Sequence, residues 1–76
     1  EYDEALKMLN YAIDSLIIPR DNGRIYAIRG GVLLLQKDTY NACRDFIVGT
    51  KKKDKLSENF LLNNCQLYLS EIQLIE

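Results

Sequence analysis

The sequence predicts an all-α domain of about four helices, folded back on one another as antiparallel helix–turn–helix hairpins. Three observations carry that expectation. Apolar residues recur at spacings of three and four along most of the chain, breakers and capping residues fall between those runs, and a pattern of small and bulky residues returns at a fixed offset. The balance of 47% hydrophobic and 28% charged residues belongs to a globular protein and excludes a disordered or low-complexity chain. At 76 residues the chain forms one small unit at most.

The first helix is expected over 1–18. Tyr2, Ala5, Leu6, Met8, Leu9, Ala12, Ile13, Leu16 and Ile17 place most of their side chains on one face, and Asp3 and Glu4 complement the dipole of the first turn. Pro19 stops it, and Asp21 or Asn22 offers a new start. From Arg24 to Lys37 the apolar positions wrap nearly all round, as in a helix buried on more than one side. Within it the Gly30-Gly31 pair costs roughly 1 kcal/mol per residue relative to Ala, which is tolerated where another backbone comes close. Asp38 or Thr39 can cap a third helix carrying Tyr40, Ala42, Cys43, Phe46 and Ile47, which runs out into Lys51-Lys52-Lys53-Asp54-Lys55. The lysines there suit a helix C-terminus. Ser57 is expected to cap a fourth helix over 57–76, whose apolar residues again cover most of the circumference.

Several kinds of chemistry are excluded. The chain has no His, the commonest general base and metal ligand, and no glycine-rich phosphate loop. Its net charge of −1 lacks the basic bias of a nucleic-acid binder. No apolar run approaches a membrane span, and the acidic start is unlike a signal peptide. Cys43 and Cys65 form no framework and no CxxC pair, so they read as two buried, reduced thiols of an intracellular, cytoplasmic protein. No enzyme activity, cofactor or metal is expected, nor are a nucleic-acid partner or membrane insertion.

Ala5, Leu9 and Ala12 form a small–bulky–small series that returns 37 residues later as Ala42, Phe46 and Gly49. Tyr26 and Phe60, 34 residues apart, each open one of the other helices. Together with Gly30 and Leu33 this pattern resembles the tetratricopeptide repeat, a 34-residue helix–turn–helix unit whose small residues let two helices approach while bulky ones fill the gap. Arg29 departs from the pattern, since the motif often has Leu there. Gly49 departs too, replacing the usual Ala. The resemblance implies one full repeat over 22–55, flanked by a second helix of a partial repeat (1–18) and a first helix of the next (57–76), in a right-handed superhelix. Its packing residues would be Ala5, Leu9, Ala12, Tyr26, Gly30, Leu33, Ala42, Phe46, Gly49, Phe60 and Leu67. The register cuts the chain out of phase at both ends, which implies a section of a longer array.

The resemblance further implies a scaffold or adaptor module without catalysis. A partner peptide or helix would lie in a mostly apolar concave groove lined by Arg24, Ala27, Gly31 and Leu34, with Glu58, Leu61, Cys65 and Tyr68 beside them. Two alternatives stand next to it. One is an oligomerisation unit pairing through the apolar residues 57–76, and the other is a helical subdomain of a larger enzyme.

Overall fold

The computed structural model describes residues 1–15 and 22–66. Four helices make up its regular structure: α1 (Tyr2–Asp14), α2 (Arg24–Leu35), α3 (Thr39–Lys51) and α4 (Lys55–Asn64), with no strand among the described residues. Neighbours in sequence pack against each other, and α2 also touches α4. The α1–α2 pair is antiparallel: Gln36 Nε2 donates to Asp3 Oδ1 at 2.8 Å near one end, and Arg29 Nη1 donates to Asn10 Oδ1 at 2.9 Å further along.

Two tight connections of one design turn the chain between α2, α3 and α4. The last turn of α2 closes with Lys37 N–H on the Leu34 carbonyl and Asp38 N–H on the Leu33 carbonyl, both at 2.9 Å. After α3, Lys53 N–H meets the Thr50 carbonyl at 2.9 Å and Asp54 N–H meets the Gly49 carbonyl at 3.0 Å. This paired bonding is the Schellman arrangement, which satisfies orphan carbonyls at a helix end. It places Lys37 and Lys53 in the left-handed region, each at φ 67°. In both turns the next residue is an Asp whose carboxylate caps the following helix. Asp38 accepts from Asn41 N–H, and Asp54 accepts from Ser57 N–H at 2.9 Å. The fourth helix thus begins two residues earlier than expected, with Asp54 rather than Ser57 as its cap. Ser57 sits in the first turn, and its hydroxyl donates to Asp54 Oδ2 at 2.8 Å.

A close joint fixes how these helices meet. Gly49 sits against Ser57 and Gly23, and a Cβ there would overlap the Ser57 side chain. A Cβ on Gly23 would come within 2.9 Å of both the Gly49 carbonyl and Asp54 Cβ. Across the joint Arg24 Nε donates to Asp54 Oδ1 at 2.9 Å. Desolvation pushes the Asp54 carboxyl up, but the bonds from Ser57 N–H, Ser57 hydroxyl and Arg24 outweigh it, so the group lies below its ordinary value.

The core lies mainly between α3 and its neighbours. Ala42, Cys43, Phe46, Ile47 and Cys65 form the buried cluster, with Leu33, Leu34, Phe60 and Leu61 packed on it. Phe46 is fully buried, which stabilises the fold by about 2–3 kcal/mol. Its ring lies over Gly30, where a Cβ would collide with it, and 5.0 Å from the Phe60 ring. The close approach at Gly30 is therefore to a side chain rather than to a backbone. Gly31 has open space where its Cβ would be, and nothing in the structure explains it. Nor is α2 covered all round, since Ile28 and Leu35 are exposed.

Two further expectations need correction, the state of the cysteines and the extent of α4. Cys43 and Cys65 are buried, but they are joined in a disulfide rather than reduced, with Cα atoms 5.7 Å apart. Neither spacing nor composition reveals the pair, because only the reversal at Lys53-Asp54 brings the two residues together. α1 is described over Tyr2–Asp14, with the Ser15 N–H on the Tyr11 carbonyl, and the rest of the stretch expected to be helical, with Leu16, Ile17 and Pro19, lies outside the described residues. α4 ends at Asn64 rather than running on through Cys65, which leaves helical geometry at φ −120°.

The two adjacent glycines should respond oppositely to one substitution. Gly31→Ala is expected to stabilise by about 1 kcal/mol, raising Tm by roughly 4–8 °C. Gly30→Ala is expected to destabilise by about 1–3 kcal/mol as the Phe46 ring is displaced. Thermal unfolding of the two variants checks both. At Asp54 the lowered carboxyl contributes stability that is present above the ordinary carboxylate range and lost as pH falls through the folded value. Asp54→Asn is therefore expected to cost about 1 kcal/mol near neutral pH, with the gap to wild type closing below about pH 4. Denaturant titrations across pH measure that gap.

Candidate functional site

Among the described residues a cleft of about 450 Å³ opens between α1 and α3, with α2 at its base. α1 contributes Leu6 and Asn10, one turn apart, and α2 contributes Arg29 and Leu33 at the same spacing. α3 contributes Asn41, Arg44, Asp45 and Val48, which follow i, i+3, i+4, i+7 along one face. Leu6, Leu33 and Val48 supply apolar surface, and the amides and guanidinium groups supply the polar part.

Arg29 anchors the cleft. Its Nε donates to Asp45 Oδ2 at 2.8 Å and its Nη2 to Asp45 Oδ1 at 2.7 Å, a bidentate fork, while Nη1 reaches Asn10 across to α1. One side chain on α2 thereby ties three helices. Asp45 is buried at 5% exposure, so its negative charge depends on this fork for compensation. The hydrogen bonds to Asp45 push Arg29 above its ordinary value; burial pulls the other way, and the charges of Asp45 and Asp14 add to the rise. The Arg29 guanidinium also lies 5.6 Å from the centre of the Tyr26 ring, beside which Lys52 Nζ sits at 5.9 Å.

Arg44 differs from Arg29 in being exposed, with its guanidinium 5.9 Å from the Tyr40 ring centre and no ion pair among the described residues. Asn41, also exposed, directs its amide nitrogen to the Asp38 carboxylate at 3.0 and 3.2 Å. The described lining holds one carboxylate, with both oxygens engaged by Arg29. Among the described residues it holds no hydroxyl, thiol or imidazole. Among the described residues no group of three His, Cys, Asp or Glu is placed to hold a metal ion.

No protein-family model, curated protein or solved structure matches the chain.

The residues that the resemblance assigned to a groove on α2 and α4 are placed as follows. Ala27 is fully buried, Leu34 and Leu61 pack on the core, and Cys65 is enclosed in the disulfide. The stripe i, i+3, i+7, i+10 on α2 turns inward at Ala27 and Leu34 because α3 and α4 both cover that side. Arg24 is exposed and spent on Asp54, and Glu58 lies 3.7 Å from Lys55. A Cβ on Gly31 would meet open space, near exposed Ile28 and Leu35. Tyr68, and with it Leu67, lies outside the described residues.

The residues assigned to helix packing are placed as follows. Ala42, Phe46, Gly30 and Gly49 are buried at the α2–α3 and α3–α4 contacts, and Leu33, Tyr26 and Phe60 are half-buried. Ala5, Leu9 and Ala12 are half-buried on α1, which has no fully buried residue. Arg29, the departure from the repeat pattern, is the residue on which the cleft turns. Its signal in the sequence was that departure itself, a charge among apolar positions of a central helix, but nothing in the sequence named Asp45 as its partner.

Removing Asp45 leaves Arg29 with two unpaired donors in a half-buried position. Asp45→Ala is expected to destabilise by about 2–4 kcal/mol. The double variant Arg29→Met with Asp45→Leu is expected to be more stable than Asp45→Ala, since it leaves no orphaned charge. Chemical denaturation of wild type, Arg29→Met, Asp45→Leu and the double variant gives the coupling, with Asp45→Ala measured beside them.

Proposed function

We propose that the chain is a non-catalytic protein-interaction module which receives an amphipathic segment of another protein in the α1–α3 cleft, with an acidic side chain of that segment meeting Arg44. The observation that carries this reading is the cleft itself: an open concavity with three aliphatic side chains, an exposed arginine on its wall, and its one carboxylate already neutralised by Arg29. Its volume falls within the range of roughly 300–1,000 Å³ common for binding sites. With Asp45 compensated, the free charge at the cleft is positive, so the complementary partner carries Asp or Glu beside apolar residues.

The reading as a tetratricopeptide-type unit is part of the same proposal. Two features support it. Each helix packs on the next and α2 packs on α4, as successive first helices do in a stacked array. The Ser57 hydroxyl also lies 3.5 Å from the Gly23 carbonyl, joining two residues 34 positions apart. Among the described residues no helix is long and apolar enough to cross a membrane.

A peptide-display selection against the folded protein tests the proposal. Selected sequences are expected to combine Asp or Glu with apolar residues at i, i+3 or i+4 spacing, and to bind more weakly as salt rises. Arg44→Glu and Val48→Glu are each expected to weaken them at least about tenfold, about 1.4 kcal/mol, with helical content unchanged by circular dichroism. Binders without acidic residues, or binders indifferent to both substitutions, would overturn it.

A further inference from the structure

We propose that the Cys43–Cys65 disulfide is an obligatory staple: α4 stays docked on α3 only in the oxidised chain, so the folded protein belongs to an oxidising compartment. The inference stands on how α4 is held and is independent of the cleft. α4 has ten residues, and its only fully buried one is Ser57, in the first turn. Phe60 and Leu61 are half-buried and Leu62 is 54% exposed. No apolar side chain of the helix is fully buried: Phe60 and Leu61 pack on the core cluster from half-buried positions, and the two ends add a hydrogen-bonded joint and a covalent tie. At the start, Asp54 and Ser57 lock into the joint with Gly23, Gly49 and Arg24. At the other end Cys65 is the C-cap, and its bond to Cys43 is the covalent tie to α3.

Both half-cystines are fully buried and belong to the core cluster, so the staple lies inside the packing. The bond joins residues 22 positions apart and encloses the whole of α4 with the turn before it. A small domain with few buried apolar side chains is the setting in which such a cross-link decides folding. Disulfides of this structural kind persist where thiols are not kept reduced, which replaces the cytoplasmic setting that free thiols would imply.

Formation requires an oxidant, here the disulfide of a thiol–disulfide exchange protein. The Cys43 thiolate attacks one sulfur of that disulfide, forming a mixed disulfide and releasing one thiol. The Cys65 thiolate then attacks Cys43 Sγ and releases the second. The chain gives up two electrons and two protons, and the exchange protein leaves as a dithiol. Once α4 is docked, the bond has no exposed sulfur, and a reductant reaches it only when α4 opens.

The test compares the whole chain made in the bacterial periplasm before and after reduction with dithiothreitol, with thiols counted by alkylation in denaturant and mass spectrometry. The periplasmic chain is expected to carry no free thiol. Reduction is expected to lower Tm by roughly 10–20 °C and to speed amide exchange in 55–64 more than tenfold. The variant Cys43→Ala with Cys65→Ala should melt like the reduced chain. Complete loss of a cooperative melt on reduction, recovered on reoxidation with glutathione disulfide, supports the proposal equally. A reduced chain that melts within about 2 °C of the oxidised one with unchanged protection of α4 would overturn it, as would two free thiols in the folded periplasmic protein.

Discussion

Phe46 occupies the space that a side chain on Gly30 would fill, and the arrangement of α2 and α3 follows from that contact. A fully buried aromatic ring lying over a glycine brings two helices to one separation and one register, because sliding either helix would drive the ring into a neighbouring side chain. The sequence neighbours of these two residues are Arg29 and Asp45. The packing that seats Phe46 on Gly30 thus brings the guanidinium and the carboxylate within fork distance on the adjoining cleft side. Core packing and ion pair are two consequences of the same register. The ion pair also carries the register outward, since the third nitrogen of Arg29 reaches Asn10 on α1, a helix otherwise held without one fully buried side chain.

α3 divides its circumference between two tasks. Ala42, Cys43, Phe46 and Ile47 point into the core, while Asn41, Arg44, Asp45 and Val48 line the cleft. Residues adjacent in sequence diverge by about a quarter turn or more on a helix, so one short element serves both without compromise. The cleft is consequently a property of α1, α2 and α3, whereas the disulfide governs α4. The two can be perturbed separately.

The turns show economy of a different kind. Each of the two short connections uses a lysine in left-handed geometry followed by an aspartate cap, so the residue that ends one helix hands directly to the residue that starts the next. A non-glycine residue at that position costs about 1 kcal/mol or more, offset by the carbonyls that the motif satisfies. After α3 the same turn also forms the joint. There Gly23, Gly49 and Ser57 meet closely enough that Asp54 caps α4 and pairs with Arg24 on α2.

Periodicity and punctuation were enough to place four helices, because amphipathic spacing and caps act within a few residues of each other along the chain. α2 could be read to within two residues at its ends, and Asp38, which caps α3, was among the caps named. The small and bulky residues Gly30, Phe46 and Gly49 could likewise be singled out by type and offset. What lay beyond the sequence was every fact that depends on which faces meet. Ala27 and Leu34 share a regular stripe with Gly31, yet only contact with α3 and α4 decides that the first two are core and the third is open. Arg29 could be seen as a charge in an apolar helix, but not as the partner of Asp45. Cys43 and Cys65 could be seen as buried, but not as bonded, since their Cα atoms come to 5.7 Å only after the chain reverses. Local preference is encoded residue by residue; pairing is a property of the packed chain, set by the one register in which rings, glycines and charges fit together.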